Sequence, residues 1–176
     1  MAIVKSPFNL KDWISKNRHL LKPPVGNKNL YVDAGDFIVM VVAGPNARKD
    51  YHYNETEELF YQIEGDILVK TQQRGTMTEV PIREGEMFLL PAKIPHSPIR
   101  QPGSIGLVIE RKREAHHKDG LMWFSEKENA LLYEEYFHLT NIEKDFLPIF
   151  KKFYGSEDLR TCPISGEVME VDKRYV

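Results

Sequence analysis

Residues 37–71 read FIVMVVAGPNARKDYHYNETEELFYQIEGDILVKT, and the punctuation of this stretch decides the fold. Its apolar runs are short: Phe37–Val42, Leu59–Ile63 and Ile67–Thr71. Gly44–Pro45 and Glu64-Gly65-Asp66 stand between them. β-Branched and aromatic residues suit a pleated surface while glycine and proline suit turns, so the pattern predicts strands joined by tight connections. The same text continues through Arg74–Gly75, Val80–Ile82, Glu84–Gly85, Met87–Leu90, Pro91 and Ile105–Ile109. Many short strands at this spacing predict an all-β sandwich or barrel over about residues 30–111. No long helical period interrupts it, which argues against a parallel α/β sheet.

On the N-terminal side, Leu10, Trp13 and Ile14 fall at helical spacing behind Asn9, a natural N-cap, and Pro23–Pro24 should stop that helix. On the C-terminal side, Ile142, Phe146, Ile149, Phe150 and Phe153 repeat at helical spacing. Thr140 and Glu143 stand at capping-box spacing, Gly155 is a natural stop, and Pro148 should kink or divide the helix. The expected organisation is one domain over residues 1–176. It comprises a helical arm, the barrel, and a segment from about residue 112 packed on the barrel's outside.

Composition excludes several classes. With 24 basic and 26 acidic side chains the net charge is −2, which offers no electrostatic footprint for nucleic acid or an anionic membrane. A 41% hydrophobic fraction is ordinary for a globular chain and argues against disorder. Cys162 is the one cysteine, so neither an internal disulfide nor a four-thiolate metal site can form within the chain. No apolar run approaches the roughly 20 residues that span a bilayer, and Met1–Leu10 lacks a signal-peptide core. A soluble, cytoplasmic protein is expected.

Two stretches carry chemistry. The first runs from Gly44 through Arg48, Asp50, His52 and Glu58 to Gly65; the second runs from Gly85 through Pro91 and His96 to Arg100. Two imidazoles and a carboxylate are a ligand set that leaves one face of a divalent metal open. His52, His96 and a nearby glutamate could supply it if neighbouring strands bring them together. In an extended chain Arg48, Asp50 and His52 project to one side, as do Glu58 and Phe60. Parity alone leaves Glu57 and Glu58 both open. His19, His116, His117 and His138 lie outside the barrel text and take no assigned role.

These stretches resemble the paired motifs of the cupin superfamily, G-x5-H-x-H-x(3,4)-E-x6-G and G-x5-P-x-G-x2-H-x3-N. Here they read G-x5-D-x-H-x5-E-x6-G over Gly44–Gly65 and G-x5-P-x-K-x2-H-x3-R over Gly85–Arg100. The resemblance therefore selects Glu58, puts Asp50 where a first histidine usually stands, and puts Arg100 where an asparagine does. It also implies a jelly-roll barrel and, since cupins commonly dimerise, a homodimer.

The departures fit one family. GPNARKDYH, ELFYQIEGD, LLPAKIPHSPIR and SIGLVIERKR, with LKPPVGN before the barrel and NIEKDF and FYGSEDLRTC after it, resemble the 3-hydroxyanthranilate 3,4-dioxygenase family. That resemblance implies a non-haem Fe(II), one per chain, and O2-dependent opening of the 3-hydroxyanthranilate ring to 2-amino-3-carboxymuconate semialdehyde. The product cyclises to quinolinate, in tryptophan (kynurenine) metabolism and NAD biosynthesis. Residue by residue, the resemblance implies His52, Glu58 and His96 as iron ligands and Arg100 and Glu110 as substrate contacts. It implies Arg48 beside O2, Asn27 and Asp50 in the pocket, and Phe60 is a candidate wall for the substrate ring.

These roles make physical sense. A planar guanidinium such as Arg100 can hold a carboxylate with two parallel hydrogen bonds, and Glu110 can accept a proton from the hydroxyl or amine. Arg48 would stabilise negative charge as O2 is reduced. Some family members carry a second iron on two C-x-x-C pairs. Here the matching positions are Ser125, Glu128, Cys162 and Ser165, and a soft four-sulfur site should not form. The alternatives are a non-catalytic metal-binding cupin that binds a small aromatic acid, and a sugar-phosphate isomerase, which would usually use a fuller histidine set.

Overall fold

The structure, a computed structural model, describes residues 4–22, 26–46 and 48–176, without the side chains of 142 and 143. Its strands form two antiparallel sheets. In the first, β1 (Asn27–Asn29), β2 (Phe37–Ala43), β9 (Ile105–Arg111), β4 (Glu58–Glu64) and β7 (Met87–Leu90) lie side by side in that order. In the second the order is β11 (Leu131–Phe137), β10 (Asp119–Phe124), β3 (Tyr51–Asn54), β8 (His96–Arg100), β5 (Ile67–Gln73) and β6 (Thr76–Ile82). This is the all-β class that the strand text predicts.

Alternation along the strands builds the core. Met40, Phe60, Leu90 and Val108 point inward from the first sheet and meet Ile67, Val69 and Ile82 from the second. The motif glycines Gly65 and Gly85 have φ of +62° and +85°, the left-handed region where a Cβ is penalised. Lys93, at the position where the cupin motif has glycine, adopts φ 66° without that freedom. A non-glycine residue there costs about 1–2 kcal/mol, which the surrounding barrel sustains.

The N-terminal arm forms as expected. Asn9 caps α1 (Leu10–Asn17) by accepting from the Asp12 N–H at 3.1 Å. Ile14 then buries against Val41, Ala43 and Ile105 on the outer face of the first sheet. Pro23, Pro24 and Val25 lie outside the described residues.

The C-terminal third differs from expectation in three ways. The sheet continues past residue 111, because β10 joins β3 and carries β11 with it. GLMWF at residues 120–124 is a continuous apolar run that periodicity cannot tell from a helix. Second, α2 (Ile142–Gly155) is capped by Asn141, not Thr140, and the Asp145 carboxylate accepts from the Thr140 and Asn141 N–H groups. The helix runs through Pro148 undivided. Third, α2 does not simply lie outside. Phe146, Phe150 and Phe153 pack on Leu121 and Trp123, and in register Leu121 is the partner of His52. The helix thus covers the same face of the second sheet that carries His52.

Candidate metal centre and its cavity

Strand register assembles the centre. His52 on β3 lies directly opposite His96 on β8, and Glu58 on β4 lies directly opposite Glu110 on β9. One sheet thus contributes two imidazoles and the other two carboxylates, all aimed at one end of the space between the sheets. One ligand atom each from His52, Glu58 and His96 falls within 4.8 Å of the others. Glu58 is buried and Glu57 exposed, so the choice that parity leaves open falls to Glu58.

The donors are prepared for a cation. His96 Nδ1 lies 3.1 Å from the Ile94 carbonyl, which takes the ring proton there and leaves Nε2 as the lone-pair nitrogen. Nε2 in turn lies 3.1 Å from Glu58 Oε2. That approach is close but poorly aligned, and Oε2 is buried without a proper hydrogen-bond partner among the described residues. Two nitrogens and an orphaned carboxylate oxygen in a buried cluster fit a divalent metal with an open face. Burial opposes ionisation of Glu58, yet His96, His52 and Arg113 together hold it below the usual carboxylate range. Burial also opposes charge on His96, but Glu58 raises it; His52, with less compensation, is lowered by burial.

All nine residues singled out from the sequence line a single cavity: Asn27, Arg48, Asp50, His52, Glu58, Phe60, His96, Arg100 and Glu110. Arg100 is 4% exposed, and its Nη1 is buried with no hydrogen-bond partner among the described residues. Burial pulls it down to about 10, so it remains a cation at neutral pH. Burial and the neighbouring Glu58 push Glu110 up to about 7. Arg48 pairs with the buried Asp50 and lies over the Phe146 ring, 5.2 Å from its centroid. Phe60 sets its ring edge-on to His96 at 6.2 Å.

Sequence reading missed several contributors. Phe146 enters the cavity wall from α2, nearly a hundred positions after His52, and no local signal announces it. Asn46 bonds the Pro98 carbonyl at 2.6 Å and the Arg100 N–H at 2.8 Å, tying the first motif to the second. Arg113 and Asp119, in text that reads as a charged loop, sit behind His52 and Glu110. Around Cys162 the chain satisfies itself: Glu128 accepts from Cys162 Sγ at 3.5 Å and Ser165 Oγ at 3.2 Å.

Two antiparallel sheets that carry their donors inward on facing strands are the arrangement that the motifs' resemblance to cupins implies, here with a metal-site candidate of two histidines and one carboxylate. The model of the 3-hydroxyanthranilic acid dioxygenase family matches residues 2–154. A protein named 3-hydroxyanthranilate 3,4-dioxygenase from Xanthomonas campestris pv. campestris (strain 8004) is 55% identical over 169 residues, 96% of this chain and 95% of its own. A protein of the same name from Jannaschia sp. (strain CCS1) is 51% identical over 164 residues, 93% and 91% of the two chains. The chain belongs to the 3-hydroxyanthranilic acid dioxygenase family. Among solved structures, a cupin-2 domain containing protein from Shewanella frigidimarina NCIMB 400 covers 60% of this chain and 94% of its own at TM-score 0.48 and 18% identity.

Proposed function

We propose that the protein is an Fe(II)-dependent dioxygenase that opens the ring of 3-hydroxyanthranilate with O2, giving 2-amino-3-carboxymuconate semialdehyde, the precursor of quinolinate. The observation that carries this reading is Arg100: a buried guanidinium whose Nη1 has no hydrogen-bond partner among the described residues, lining the same cavity as His52, Glu58 and His96. A buried cation is expensive unless paired, and a substrate carboxylate is the pairing that this position offers.

His52, Glu58 and His96 would hold one Fe(II) per chain, which would supply the redox chemistry that O2 needs to react with an aromatic ring. The chain's own groups do the rest. Arg100 takes the substrate carboxylate in two parallel charge-assisted hydrogen bonds and so fixes the ring's orientation. Both hydrogen bonds made to Glu110 reach Oε2, which leaves Oε1 for the substrate. Poised near neutral pH, Glu110 accepts the proton that the hydroxyl or amine gives up. Arg48, steadied by Asp50 and Phe146, stabilises the negative charge that develops on O2. Asn27 adds a polar contact, and Phe60, Met40 and Val108 give the cavity its apolar wall.

Carboxylate recognition is testable without turnover. In anaerobic titration of the Fe(II) protein, 3-hydroxyanthranilate should bind about 100-fold more tightly than 2-aminophenol, the same molecule without its carboxylate, as expected for a buried charge pair. Equal affinities would remove Arg100 from substrate binding and the reading with it.

We further propose that the chain acts as a single domain, cytoplasmic by its one unpaired, buried cysteine, and that it works as a homodimer. No helix among the described residues is long and apolar enough to cross a membrane. The dimer reading rests on the outer face of the first sheet, where α1 covers one half. On the other half Phe37, Tyr61, Met87 and Leu89 stay exposed, with Tyr61 beside Met87 in register. Sedimentation equilibrium should give twice the chain mass, and Leu89→Lys should give one chain mass with the iron site intact. A wild-type monomer at micromolar concentration would contradict this.

A further inference from the structure

Behind the centre lies a buried ionic chain that the proposed chemistry leaves unexplained. Asp119 on β10 is fully buried, and its Oδ1 lies 2.7 Å from His52 Nε2. Arg113 grips the same carboxylate, Nε at 3.0 Å from Oδ2 and Nη2 at 2.7 Å from Oδ1. With Nη1 it bonds Glu110 Oε2, which Asn54 also approaches at 3.3 Å. One guanidinium therefore joins the carboxylate behind a proposed metal ligand to the carboxylate proposed to meet the substrate.

Stability alone does not account for such a chain, because desolvating buried ions costs about as much as their attraction returns. Geometry suggests another purpose. An imidazole has two nitrogens, and the hydrogen bond made by one decides the tautomer and the lone pair presented by the other. His96 settles this with a backbone carbonyl, while His52 settles it with Asp119. Leu121 opposes His52 in register, and Asp119 follows two positions away on the same face, so the β3–β10 pairing itself delivers the carboxylate.

We propose that Asp119, oriented by Arg113, is a positioning residue for His52: it accepts the Nε2 proton and leaves Nδ1 as the ring nitrogen available to the metal. The inference rests on the reading of His52, Glu58 and His96 as the metal ligands. Removing outer-shell partners of this kind lowers metal affinity about 10- to 100-fold.

The test uses the full-length apo protein titrated anaerobically with Co(II), whose visible absorption reports coordination geometry without turnover. Asp119→Asn should lower the apo melting temperature, because Arg113 loses a buried partner, and should in addition weaken Co(II) binding about 10- to 100-fold and change the spectrum. A folded Asp119→Asn protein with wild-type affinity and spectrum would overturn the proposal. So would a lowered melting temperature with Co(II) binding unchanged, the signature of a purely structural carboxylate. If Asp119→Asn does not fold, Arg113→Lys decides instead, since it keeps Asp119 but removes its fork. Weaker binding with an altered spectrum supports the proposal, and wild-type behaviour overturns it. Wild type and His96→Ala separate the two readings: if these bind Co(II) equally, the ligand assignment has failed, not the role of Asp119.

Discussion

His96→Ala should leave the protein unable to retain iron. His96 is almost fully buried, its Nδ1 committed to the Ile94 carbonyl and its Nε2 turned towards Glu58. Truncation removes a proposed ligand and leaves His52 and Glu58 of the candidate set, so the loss should exceed the about 10- to 100-fold that changes behind a ligand cost. Metal analysis after anaerobic reconstitution and desalting should find about one iron per chain in wild type and essentially none in His96→Ala, with turnover lost in parallel. Burial opposes ionisation of Glu58 and His96 leads the groups that favour it, so without His96 the apo form should require a higher pH to keep Glu58 ionised. A His96→Ala protein that still carries one iron per chain would break the ligand assignment.

The second large effect is at Arg100. Arg100→Met keeps the volume and removes the charge, so it isolates the carboxylate clamp. Loss of a buried charge pair costs about 2–5 kcal/mol, of which about 3 kcal/mol corresponds to a roughly 100-fold fall in kcat/KM. Because the proposed clamp would hold the substrate before and during reaction, the fall should appear mainly in KM. The preference for 3-hydroxyanthranilate over 2-aminophenol should vanish with it. Stability should move the other way: Nη1 is buried with no hydrogen-bond partner among the described residues, so the apo variant should melt at or above the wild-type temperature. An unchanged KM would show that another cation, with Arg48 as the first suspect, holds the carboxylate.

The contrast between these sites and the ones behind them shows what a sequence displays. Strands such as β4 and β7 are legible because Gly65 closes the first and Gly85 and Pro91 bracket the second, around short apolar runs. His52 and His96 stand out because each sits in such a bracket. Strand parity leaves Glu57 and Glu58 both open; the six-residue spacing to Gly65 shared with the cupin motif selects Glu58, and its burial agrees. Two strands of the six-stranded sheet, β10 and β11, are hidden for a different reason. Gly120–Trp123 lies buried on both faces, so it shows no alternation, and Tyr133-Glu-Glu-Tyr136 shows no apolar period at all. Phe146, Arg113 and Asp119 act on the site only through long-range packing and strand order. A side chain whose partner lies dozens of residues away leaves no mark in its own neighbourhood. Lys93 marks the opposite case, a backbone position where the residue type would predict the wrong conformation.

The most direct test of the central claim is oxygen consumption by the Fe(II)-reconstituted protein. The protein is prepared anaerobically, mixed with 3-hydroxyanthranilate and exposed to air while O2 and the ultraviolet spectrum are followed together. The site described here predicts about one O2 consumed per substrate, a ring-opened chromophore that rises with it, and slow conversion of that chromophore to quinolinate. Tight binding of 3-hydroxyanthranilate without O2 uptake would contradict the account and leave a cupin that binds an aromatic acid without turning it over.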